Sequence, residues 1–171
     1  MGLADSLLME QIVDANAAPE WRELFGTQAA DPRLRDIEVI LRAFAMADDS
    51  EHYRPSMVRF LNRYADQSRN MAPANVASRV QEFRGFLHQV SQLDRAPFLI
   101  SDRFSVPIFE AVYAAYCQTL RAKQTPRLDN PTLARLKDDE DFKAATETHT
   151  SDTKNITSRV DVANRYLTGQ K

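Results

Sequence analysis

Apolar residues recur at spacings of three and four through almost the whole chain, the period of helices with one buried face. The clearest run is Leu34, Ile37, Leu41 and Phe44, widened by Ile40 and Ala45. Asp31-Pro32 precedes it. An aspartate can accept bonds from the free N–H groups of a first helical turn, and proline suits the first helical position. The pattern therefore predicts a central core helix from Asp31 that ends near Asp48-Asp49-Ser50.

Other helices follow from the same period. Leu3, Leu7, Leu8 and Ile12 predict a first helix that starts almost at Met1, as in a chain cut from a longer one. Pro19 breaks it, and Glu20 to Phe25 forms a second, short helix with Gly26 as a left-handed stop. Trp21, Leu24 and Phe25 read as a hydrophobic plug. A fourth helix starts at Pro55-Ser56 and buries Met57, Phe60, Leu61 and Tyr64. The longest runs from Asn75 to about Leu93, with Val76, Val80, Phe83, Leu87 and Val90 in heptad-like register. Asp94 to Pro107 is a connection with an apolar centre, and Val106 to Ala122 is the next helix. A short turn at Thr132–Leu136 and a segment led by Asp138-Asp139-Glu140-Asp141 come next. A last helix carries Ile156, Val160, Ala163 and Leu167 and stops at Gly169. The fold class is all-α: one compact domain of about seven to nine helices over residues 1–171, with no internal repeat.

Charged positions add one pattern. Arg35, Glu38 and Arg42 share a side of the central helix at spacings of three and four, so both arginines can reach the one carboxylate. They are the candidates for a half-buried ion network rather than a phosphate clamp, because Glu38 already offers each arginine a partner. Arg59 and Arg63 lie one turn apart on an outer face. With Arg33 and Arg35 they are the candidates for phosphate or DNA contact.

Composition narrows the function classes. The net charge of −2 makes the chain as a whole a poor attractor of nucleic acid. The charge is uneven: residues 33–103 carry eleven bases and nine acids, while residues 1–32 carry six acids and one base. Cys117 is the single cysteine, so intrachain disulfides and thiol-rich metal sites are excluded. Its apolar surroundings make it a small buried hydrophobe. The four acids from Asp138 to Asp141 are consecutive and point all round a helix, whereas hard cations need oxygens converging on one point. His52, His88 and His149 have no helical partner histidine. No glycine-rich phosphate loop, H-E-x-x-H or G-x-S-x-G motif occurs. No cofactor is implied. No apolar run is long enough to span a membrane, the N-terminus lacks the basic start and apolar middle expected of a signal peptide, and the default expectation is a cytoplasmic protein.

Three stretches carry a resemblance. They are Trp21-Arg22-Glu23-Leu24-Phe25-Gly26, Asp36-Ile37-Glu38-Val39-Ile40-Leu41-Arg42-Ala43-Phe44-Ala45, and Tyr53 through Ser56-Met57 to Phe60-Leu61-Asn62-Arg63-Tyr64. Pro107-Ile108-Phe109-Glu110-Ala111-Val112 and Thr150-Ser151-Asp152 with Arg159-Val160 extend it in the same order. Together they resemble the C-terminal helical region of domain-of-unknown-function family 262. These are ParB/sulfiredoxin-like proteins that include the GmrS-type halves of modification-dependent restriction systems. The resemblance places the family's chemistry in an N-terminal α/β domain with a D-G-Q-Q-R-type motif, which is absent here. No catalytic residue carries over. The resemblance implies a non-catalytic helical module of a restriction or anti-phage defence protein, produced as a fragment or encoded apart from its catalytic half. It would pack against a ParB-like catalytic domain, bind another partner or self-associate as a homodimer, with Leu3, Leu7 and Leu8 as the candidate apolar patch. A DNA-binding module using the arginine face is the alternative, and a nuclease with an unrecognised site is a third reading.

Overall fold

The computed structural model describes residues 6–94 and 97–170. Among these are nine α-helices, one 3₁₀ turn and one two-stranded hairpin, so the fold is all-α. The helices are α1 (Leu7–Asn16), α2 (Pro19–Phe25), α3 (Arg35–Asp49), α4 (Met57–Ser68), α5 (Pro73–Val90), α6 (Val106–Arg121), α7 (Asn130–Asp138), α8 (Glu140–Glu147) and α9 (Thr153–Thr168). The 3₁₀ turn is Ser50–His52.

The helix at the centre is α6. Every residue from Ile108 to Cys117 is buried, which requires neighbours all round rather than on one face. Ala111, Ala114 and Ala115 keep its profile narrow, and α3 and α9 pack most extensively against it. The stretch read as the central helix is thus one flank of α6. Its apolar face, with Ile37, Ile40, Leu41 and Phe44, is buried as the spacing predicts.

The start of α3 differs from the expected one. Asp31 does not cap the helix but makes a turn before it: its side chain accepts from the Arg33 N–H (2.7 Å) and its carbonyl from the Leu34 N–H (2.9 Å). The helix begins one turn later, at Arg35, and Leu34 stands outside it at φ 57°. Leu34 is 40 % exposed instead of lying on the core face. An Asx turn at Asp31 competes with the helix for the same backbone groups and wins here.

Local punctuation elsewhere follows the sequence. Gly26 and Gly169 end α2 and α9 at φ 84° and 72°, the left-handed region that glycine enters without a Cβ clash. Asp139, from the acidic run, caps α8 by accepting from the Phe142 N–H. The apolar connection before α6 holds strands β1 (Leu99–Ile100) and β2 (Arg103–Phe104), paired Leu99 to Phe104 and Ile100 to Arg103. Ser101 and Asp102 both have positive φ, as a two-residue turn of this hand requires.

An aromatic cluster fills the space between α2, α5, the hairpin and α6. Phe109 lies with ring centroids 5.3–6.3 Å from Trp21, Phe86, Phe98, Phe104 and Tyr113. The Trp21 plug is therefore real, but its ring partners besides Phe25 come from three distant segments: Phe83 of α5, Phe104 of β2 and Phe109 of α6. No helix among the described residues is long and apolar enough to cross a membrane.

Candidate functional site

Polar chemistry inside this fold is concentrated in three clusters, each built from residues far apart in sequence. The deepest surrounds Glu110 on α6. Its carboxylate is wholly buried. Arg42 of α3 donates from Nε to one oxygen at 2.9 Å, and Arg159 of α9 donates from Nη2 to the other. Arg159 is also fully buried, while Arg42 keeps 18 % of its side chain at the surface. Arg159 Nη1 donates to the carbonyls of Thr150 (2.6 Å) and Ala145 (3.4 Å). Ala145 lies in the last turn of α8, where the helix dipole favours a cation. Tyr53 closes the cluster by donating to the Ser151 carbonyl at 2.7 Å. Its hydroxyl is held above its usual pKa, first by burial, against the pull of Arg42 and Arg159.

The ion network expected of Arg35, Glu38 and Arg42 does not form among those three. Arg35 and Glu38 are exposed, and Arg42 turns inward to Glu110. Helical spacing identifies who can meet along one helix, whereas a desolvated carboxylate on a neighbouring helix offers a guanidinium a stronger partner than a hydrated one.

The second cluster ties α1, α2 and α3 together. Asp36 is buried and accepts from the Asn16 amide (3.1 Å) and the backbone N–H groups of Asp31 (3.0 Å) and Ile37 (2.9 Å). Arg22 Nη1 lies 2.9 Å from it. Asn16 in turn accepts from Trp21 Nε1 at 2.9 Å. Burial pushes the Asp36 carboxyl up, but these donors outweigh it and hold the pKa below the ordinary value. A depressed folded-state pKa gives stability that is present above the unfolded pKa and lost as pH falls through the folded one. Asp36→Asn should therefore destabilise the domain at neutral pH. The gap between variant and wild type should close progressively below about pH 4. Urea unfolding at a series of pH values measures this, and a gap that stays constant down to acid pH would contradict it.

In the third cluster Asp48 accepts from Tyr64 (2.7 Å) and Arg79 Nε (3.0 Å), and Arg121 Nη1 lies 2.9 Å from it. Arg121 also forms two bonds to Glu82, at 2.6 and 2.9 Å. This braces the end of α3 to α4, α5 and α6.

The remaining sequence candidates scatter. Arg63 is committed to Asp49 (3.0 Å) and the His52 carbonyl (2.9 Å), with its guanidinium over the Phe60 ring, whereas Arg33 and Arg59 are exposed. Leu8 is fully buried in the core, so it cannot belong to a surface patch with Leu7, which is 40 % exposed; Leu3 lies outside the described residues. Among the described residues no group of three His, Cys, Asp or Glu side chains could hold a metal. Cys117 is buried, and burial pushes its thiol well above the usual range, so it stays neutral.

Comparison with family models, curated proteins and solved structures gives no match.

Sequence reasoning missed Glu110, Arg159, Arg22 and Asp48. A signal existed for two of them. Glu110 is the one charge in the apolar run from Val106 to Cys117, and Arg159 sits between Ile156 and Val160 of a buried face. A lone charge inside an apolar face must be paired or solvated.

Proposed function

We propose that this chain is a non-catalytic helical module that works by contact with a protein partner, as the helical region of a ParB-like restriction or defence protein would. The supporting observation is the way Glu110 is used. A carboxylate available for acid–base work or metal binding needs a free lone pair facing a cleft. Here both oxygens are taken by arginines, and the same residues hold α3, α6, α9 and the loop before α9 in one frame. Each of the three residues comes from one of the stretches that carry the family resemblance: Arg42, Glu110 and Arg159. In this reading the motifs are recurrent because they brace the frame.

The arginine-face reading is weaker, because Arg63, one of its four candidates, is spent on Asp49 and the His52 carbonyl. A labelled DNA duplex incubated at low salt with the purified chain and a divalent metal tests all three readings. The expected result is a duplex neither shifted nor cut. A shift that collapses with salt and with Arg33→Glu or Arg59→Glu would favour DNA binding. Cleavage abolished by one carboxylate substitution would establish an enzyme. The coding sequence next to this reading frame tests the partner: an adjoining ParB-like domain supports the assignment, and its absence from both flanks counts against it.

A further inference from the structure

Three locally unfavourable choices meet in one exposed turn. Leu34 takes φ 57°, a left-handed backbone that penalises any residue with a Cβ, and leaves its side chain 40 % exposed. Arg33 and Arg35 flank it, both exposed, beside the N-terminus of α3 where the helix dipole disfavours cations. The turn is nonetheless held firmly, by the Asp31 bonds on one side and by Asp36 within the Arg22–Asn16 cluster on the other. A rigid site that breaks local rules without a gain inside the fold is where a contact with something else is expected.

The other side of α2 carries a fitting receptor. A groove of about 410 Å³ runs between α2 and the end of α5. Leu24, Val90 and Leu93 supply apolar floor, and Glu20, Glu23 and Asp94 stand along it. Leu34 of the same chain is not among its lining residues. We propose that the groove receives the Arg33-Leu34-Arg35 turn of a second copy of this chain. Leu34 enters the apolar floor, and the two arginines reach the carboxylates of Glu20 and Glu23. The turn is fixed through Asp36 by the Asn16–Arg22–Asp36 cluster, and Arg22 of that cluster lies on α2, which forms one wall of the groove, so the turn needs little ordering on contact. The inference deepens the contact-module reading and rests on it.

Sedimentation of the full chain over a concentration series, at low and high salt, tests the site. Reversible self-association that weakens with salt is expected. Glu20→Lys with Glu23→Lys, and separately Arg33→Glu with Arg35→Glu, should each weaken it by about tenfold or more, and a mixture of the two variants should associate again. Leu34→Gly should also weaken association while raising the melting temperature, a split that a purely structural role for the turn would not produce. All these positions are exposed, so circular dichroism will show whether each variant keeps the fold. A wild type that stays monomeric at every concentration overturns the proposal. So does association that ignores the charge reversals, or that is lost only with Leu7→Asp. Any of these three results would leave the contact-module reading standing, whereas DNA binding or cleavage would remove that reading itself.

Discussion

Arg159→Leu is expected to lower the free energy of unfolding by about 3–5 kcal/mol, the usual cost of stranding one member of a buried ion pair. Glu110 would retain Arg42 but lose its fully buried partner, and the Thr150 carbonyl would lose its donor. The loss is large against a total stability of about 5–15 kcal/mol for a domain. Urea unfolding followed by circular dichroism measures it. The companion variant decides the cause. Arg159→Leu combined with Glu110→Leu removes both charges, and Arg42 can turn its partly exposed end to water. That double variant should recover most of the stability, because an apolar pair of similar volume often replaces a buried ion pair at little cost. If the double variant is no better than the single, the pair contributes through shape rather than charge. The comparison also shows why such a cluster need not be a strong stabiliser. Arg159 Nε is buried without a hydrogen-bond partner, so part of the desolvation cost is never recovered. The cluster ties α3 and α9 to α6, with one arginine on each Glu110 oxygen.

Phe109→Ala should cost a similar amount, about 3–5 kcal/mol, for a different reason. Phe109 is fully buried and touches aromatic rings from α2, α5, the segment before α6 and α6 itself. Its removal leaves a cavity lined by rigid rings from separate elements, which cannot all move in to fill it. Val58→Ala on the outside of α4 is the control. Val58 is 68 % exposed, so the change should stay within about 0.5 kcal/mol. A Phe109→Ala variant that melts like the wild type would mean that this cluster is not the core's centre.

The helices were legible because helix formation with one buried face leaves a periodic mark in the sequence itself. Val76, Val80, Phe83, Leu87 and Val90 read as one face of α5, and all five are buried. Capping and stop signals were legible for the same reason: Gly26 and Gly169 act on the backbone within a residue or two. Asp31 shows the edge of that reach. Its side chain can cap a helix or close an Asx turn, and the competition between them was settled by Asp36, which takes the Asp31 N–H from within the helix.

The sequence by itself determined an all-helical chain, the buried face of nearly every helix and a cysteine without reactivity. It did so because period, propensity and capping are local. Only the tertiary structure decided that α6 is the centre, that Arg42 answers Glu110 rather than Glu38, and that Leu8 belongs to the core while Leu7 does not. Those outcomes depend on which helices meet. Glu110, Arg42 and Arg159 come together across separations of 68 and 49 residues, and no spacing rule along the chain reaches that far.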